Sequence, residues 1–132
     1  MNYCMDGAAM GYETHITRKE NWFDKDGPVI TIAEWEQLVA EDAEMRMDGF
    51  AEATSPSGEI IRIENEGIAV WTSHANRGES DDVVWFSFRR GKITVKNADV
   101  EVLIKMGEIA RRLSAKVQGD ECELYDERGQ VQ

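Results

Sequence analysis

Few residues in this chain have the type and spacing for chemistry, and most of those are carboxylates. There are two histidines, His15 in a stretch of alternating character and His74 at the edge of a polar segment. Neither has a His, Cys or acid at metal-ligand spacing, so both read as side chains satisfied by local hydrogen bonds. The run Asp24-Lys25-Asp26-Gly27-Pro28, with Glu34 beyond it, has the look of a calcium loop. Its register is wrong. With Gly27 at the sixth loop position, the first is Trp22 and the twelfth is Ala33, and neither side chain offers an oxygen. A turn is expected there, with no metal and no cofactor, and with Glu34 committed to capping the helix that follows.

Covalent catalysis finds no support. There is no Gly-x-Ser-x-Gly elbow and no glycine-rich phosphate loop, and neither Cys4 nor Cys122 sits in a basic, helix-start setting that would lower its pKa. Adjacent acids such as Glu41-Asp42 and Asp81-Asp82 read as solvated pairs. The chain is not expected to be an enzyme.

What remains is a polar segment, residues 74–82, that contains Asn76, Arg77, Glu79, Asp81 and Asp82. Hairpin loops usually run about two to five residues, so this one is longer than strand reversal requires. It reads either as an acidic recognition loop on a rigid sheet or as a tolerated surface insertion. A second acidic group, Glu41, Asp42, Glu44 and Asp48, extends the same candidate binding face. Trp71 and Trp22 are the candidate aromatic anchors. The alternative site is a pocket between the sheet and the first helix, near His15, Arg18 and Trp22.

The charge balance points the same way. With 26 acidic against 15 basic residues the net charge is -11. That argues against a nucleic-acid or anionic-membrane surface and favours a basic partner, although solubility alone would explain it equally. There is no apolar run long enough to span a membrane, and the first ten residues lack the basic start and apolar core of a signal peptide. The two cysteines lack metal spacing, and the expectation is reduced thiols in the cytoplasm.

These residues need elements to hold them. Residues 12–18 alternate as a first strand. Thr31-Ile32-Ala33-Glu34 has the form of a capping box and opens a helix to about residue 42, carried by Ile32, Trp35, Leu38 and Val39. Residues 45–53 read as a strand, followed by a Ser55-Pro56-Ser57-Gly58 turn. Residues 59–64, with Ile61 and Ile63 inward, are expected to turn through Asn65-Glu66-Gly67 onto residues 68–73 as a hairpin. Residues 83–88 are apolar on both faces and are expected to be the central strand, paired with 92–95 across Arg90-Gly91. A second helix starts at an Asn97 cap and carries the stripe Val100, Leu103, Ile104, Gly107, Ala110, Leu113 and Val117, ending at Gly119. Residues 121–125 make a last strand.

The predicted fold class is α+β, a single mainly antiparallel sheet of about five to six strands with two helices packed on it. Residues 1–11 are expected to be frayed, 12–126 to form one domain and 127–132 to be a polar tail.

Tyr12-Glu13-Thr14-His15-Ile16-Thr17-Arg18 with Trp22, then Ile32-x-x-Trp35, Ile93-Thr94-Val95-Lys96-Asn97 and Val117-Gln118-Gly119-Asp120, resemble a group of small bacterial proteins. Some of these look like immunity proteins of interbacterial toxin systems. The resemblance implies a small, acidic, cytoplasmic, non-enzymatic protein that blocks a toxin domain by direct binding, and it carries over no functional residues.

Overall fold

The computed structural model of the chain describes residues 12–64, 67–71 and 84–132. The segment 74–82 lies outside them, and with it Asn76, Arg77, Glu79, Asp81 and Asp82. So do His74, residues 1–11, and the Asn65-Glu66 part of the expected turn.

Nine strands and two helices follow one another: β1 (Glu13–Thr17), α1 (Ile32–Ala40), β2 (Met45–Met47), β3 (Phe50–Thr54), β4 (Ile60–Glu64), β5 (Ile68–Trp71), β6 (Val84–Arg89), β7 (Lys92–Lys96), α2 (Val100–Arg112), β8 (Lys116–Gly119) and β9 (Leu124–Tyr125). Seven strands form one antiparallel sheet in the order β2-β5-β6-β7-β1-β8-β9, so the α+β class holds with a somewhat wider sheet than expected. The middle place belongs to β7, and residues 84–89 lie one position away.

α1 forms as its opening residues predict. The Thr31 side chain accepts from the Glu34 amide, and the Glu34 carboxylate accepts from the Thr31 amide. Trp35, Leu38 and Val39 recur on one face and are buried against the sheet. α2 buries Val102, Leu103, Met106, Ile109 and Ala110 beside them, over Ile16, Phe86, Ile93, Val95 and Val117. Both helices therefore cover the same face of the sheet.

Expectations for α2 and for β4 are corrected here. The cap of α2 is Asp99, whose carboxylate accepts from the Val102 amide, because Asn97 takes a left-handed φ of 53° that turns the chain before the helix starts. α2 also stops short of Val117. Ser114 adopts a φ of 54°, and the Ser114 and Ala115 amides close back on Arg111 and Ala110 in a Schellman ending, which frees residues 116–119 to become β8. Val100, placed in the apolar stripe, is 52% exposed.

A further correction concerns β4. It pairs with β3 in a separate two-stranded ribbon instead of folding onto β5, which pairs with β2 and β6. Gly49 makes the break. At a φ of 77° it ends β2, and the Asp48 and Gly49 amides both donate to the Ile68 carbonyl, a bulge that sends residues 50–54 away from the sheet. Ile61, expected inward, is 52% exposed, and Ile60 is 71% exposed.

Candidate functional site

The sheet face away from the helices is polar along one line. Strand register places Ser87, Thr94, His15 and Gln118 side by side across β6, β7, β1 and β8. Side chains of paired residues share a face, so four polar groups from distant parts of the chain become neighbours. The loop after β1 folds over them. Its Trp22 amide donates to Gln118 Oε1 at 2.7 Å, and Gln118 Nε2 donates to Asn21 Oδ1 at 3.2 Å. The Trp22 indole then stacks on the His15 imidazole with centroids 4.2 Å apart.

Beneath that indole His15 is 1% exposed and both its ring nitrogens are engaged. Nε2 lies 2.9 Å from Asp120 Oδ1 and Nδ1 lies 3.0 Å from Thr94 Oγ1. A carboxylate only accepts, so Nε2 carries the proton and Nδ1 takes a hydrogen bond from the Thr94 hydroxyl. Burial pushes the His15 pKa down against the upward pull of Asp120, which keeps the ring neutral at pH 7. Asp120 is held from its other oxygen by the Glu13 amide at 2.8 Å. The ligand atoms of Glu13, His15 and Asp120 all lie within 4.8 Å of one another. The sequence reading that gave His15 no acidic neighbour is therefore wrong in space. Asp120 is 105 residues away and arrives only through the β1–β8 pairing.

Chemically, the line from hydroxyl to imidazole to carboxylate has the polarity of a nucleophile, a base and an orienting acid. Trp22 covers the imidazole, and the other basic group proposed for this pocket is committed elsewhere. Arg18 forks onto Glu34 at 2.9 and 2.7 Å, and also donates to the carbonyls of Leu113 and Val29. It is a strut between β1 and the two helices. Two clefts, each of about 350 Å³, lie elsewhere, one between α2 and β8–β9 and the other between α1 and the end of α2.

Each member of the second acidic group has a cation, and Glu41, Asp42 and Glu44 pair with residues of α2. Glu41 pairs with Arg112 at 2.6 Å, Asp48 with Arg46 at 2.6 Å, and Asp42 and Glu44 with Lys105 at 2.6 and 3.3 Å. Lys105 is 7% exposed, so its ammonium needs these partners. Trp71 is corrected as an anchor: it is 5% exposed, packs in the core and donates from its indole to Glu44. Trp22 is half-buried, with one ring face taken by His15.

Cys122 is disulfide-bonded. The expectation of reduced thiols fails, and with it the cysteine argument for a reducing compartment. No helix among the described residues is long and apolar enough to cross a membrane. No protein-family model, curated protein or solved structure matches the chain.

Proposed function

We propose that this chain is a non-catalytic binding protein that neutralises a basic protein partner by covering it, as an immunity protein blocks a cognate toxin domain in the cytoplasm. The observation that carries this reading is the pair of exposed isoleucines on β4 of a strongly acidic chain. Ile60 and Ile61, at 71% and 52% exposure, lie on β4 outside the main sheet, in a chain of net charge -11. Tight interfaces are centred on desolvated apolar anchors with charged groups around them, and opposite charge speeds the encounter. Ile60 and Ile61 are adjacent on the strand and so present one exposed isoleucine on each face of the ribbon, and either face can supply such an anchor in place of Trp71. Carboxylates at Glu79, Asp81 and Asp82 supply charge to meet the Lys and Arg side chains with which a toxin holds its substrate. Glu41, Asp42, Glu44 and Asp48 contribute less, because each would have to exchange an internal cation for an external one.

The test is association with a basic toxin domain encoded beside this chain, measured at rising salt and after charge reversal at Glu79, Asp81 and Asp82. Binding that weakens in both series supports the proposal. Binding indifferent to both removes its electrostatic half, and the absence of any complex removes the whole. The alternative, a small-ligand or enzymatic domain using His15, Arg18 and Trp22, is served less well, since Arg18 is committed to Glu34 and Trp22 closes over His15.

A further inference from the structure

Glu13, His15 and Asp120 present a donor set that the binding reading does not use. One imidazole and two carboxylates converge from β1 and from the residue just after β8. The Glu13 carboxylate is half-buried and has no hydrogen-bond or ion-pair partner among the described residues, although its oxygen is within 4.8 Å of the other two ligand atoms. Lys92, whose ammonium lies 5.9 Å from the centre of the Trp22 ring, bonds to neither carboxylate. Two carboxylates and an imidazole held this close, without a bonded cation, offer a cation three donor atoms.

We propose that Glu13, His15 and Asp120 bind a divalent transition-metal ion, zinc by the nature of the donors. Imidazole and carboxylate ligands lie about 2.0–2.2 Å from zinc, so two of them on one ion are about 3–3.5 Å apart. The 2.9 Å between His15 Nε2 and Asp120 Oδ1 is close to that separation, and the Glu13 ligand atom lies within 4.8 Å of both. The surrounding shell also fits. Binding at Nε2 moves the ring proton to Nδ1, the ring stays neutral, and Thr94 Oγ1 changes from donor to acceptor at the same 3.0 Å contact. The Glu13 amide already orients Asp120 from the far oxygen. Such outer contacts fix ligand tautomer and direction.

Calorimetric titration of the full chain with zinc, manganese, magnesium and calcium tests this. His15 ring resonances followed by NMR place any site, and a His74→Ala background excludes the other histidine. The expected result is stoichiometric zinc binding that shifts the His15 resonances and raises the melting temperature, reversed by chelator. Glu13→Gln, which removes no structural contact, weakens binding at least about tenfold, and Thr94→Val weakens it about 10–100-fold. Zinc binding that leaves His15 unshifted, affinity unchanged in Glu13→Gln, a response to magnesium or calcium alone, or no zinc binding overturns the proposal. None of these outcomes bears on whether the chain binds a basic protein.

Discussion

The Trp22 indole lies face to face on the His15 imidazole, with centroids 4.2 Å apart and planes inclined by 13°. That contact makes a loop side chain part of a strand histidine's environment, because the ring covers one face of the imidazole. Replacing Trp22 by Ala should cost about 2–3 kcal/mol, below the range for a fully buried Trp because this one is only half-buried. It should also move the His15 pKa up toward its ordinary value of 6.5, read by ring-proton NMR. A His15 titration unchanged in Trp22→Ala would mean that the sheet alone dries the site.

The same depression sets a pH dependence. A histidine whose folded pKa lies below its unfolded value of 6.5 binds protons more readily when unfolded, so it destabilises the fold as pH falls. Denaturant midpoints should therefore decline from pH 7 toward pH 5. The slope should shrink in Trp22→Ala.

Lys105 makes a second, independent prediction. Its buried ammonium bonds Asp42 Oδ2 at 2.6 Å. Burial alone would raise the Asp42 pKa, but the hydrogen bond from Lys105, with lesser help from the Glu44 amide, leaves it below the ordinary value. Asp42→Asn should destabilise the fold by about 3 kcal/mol, because one partner of a mostly buried pair is lost and the other stays behind. Lys105→Met should cost less, since the stem still packs and the Asp42 carboxylate left behind is the more exposed partner and keeps the hydrogen bond from the Glu44 amide.

Glu34 titrates with a similar logic at the surface. The Arg18 fork, followed by the Thr31 amide, lowers its pKa to about 2. Its support for α1 should be complete above about pH 4.5 and lost as the pH falls toward 2. Carboxyl NMR gives the folded value directly, and Arg18→Ala should return it toward the ordinary range.

Gly91 is a conformational requirement. Arg90 and Gly91 take φ of 53° and 80° in the two-residue turn between β6 and β7, and a Cβ on Gly91 would lie 2.6 Å from Val29 Cβ. Gly91→Ala should cost about 1–3 kcal/mol, measured by thermal or denaturant unfolding.

Legibility in sequence followed the range of the interactions. The capping box of α1 is written within four residues, and the apolar repeat of α2 holds at Leu103, Gly107, Ala110 and Leu113, although Ile104 is only half-buried and the deepest residues, Met106 and Ile109, lie beside the stripe. The end of α2 was misread because Val117 continues the helical spacing, whereas Ser114, with nothing in its residue type to announce a left-handed φ, stops the helix. The β3–β4 ribbon alternates as any sheet strand does, and only the Gly49 bulge tells it from one. The His15 site could not be read at all, since Thr94 and Asp120 lie 79 and 105 residues away and meet His15 through register alone.

The ends of the main sheet carry a last implication. Its border strands are β2, of three residues, and β9, of two. Such short borders offer an incoming strand little backbone to pair with, a common defence against self-association. Each strand of the β3–β4 ribbon has five residues and pairs on one side only among the described residues. A partner that docks by extending a sheet would therefore add to the ribbon, taking its register from backbone hydrogen bonds and its selectivity from Ile60 and Ile61.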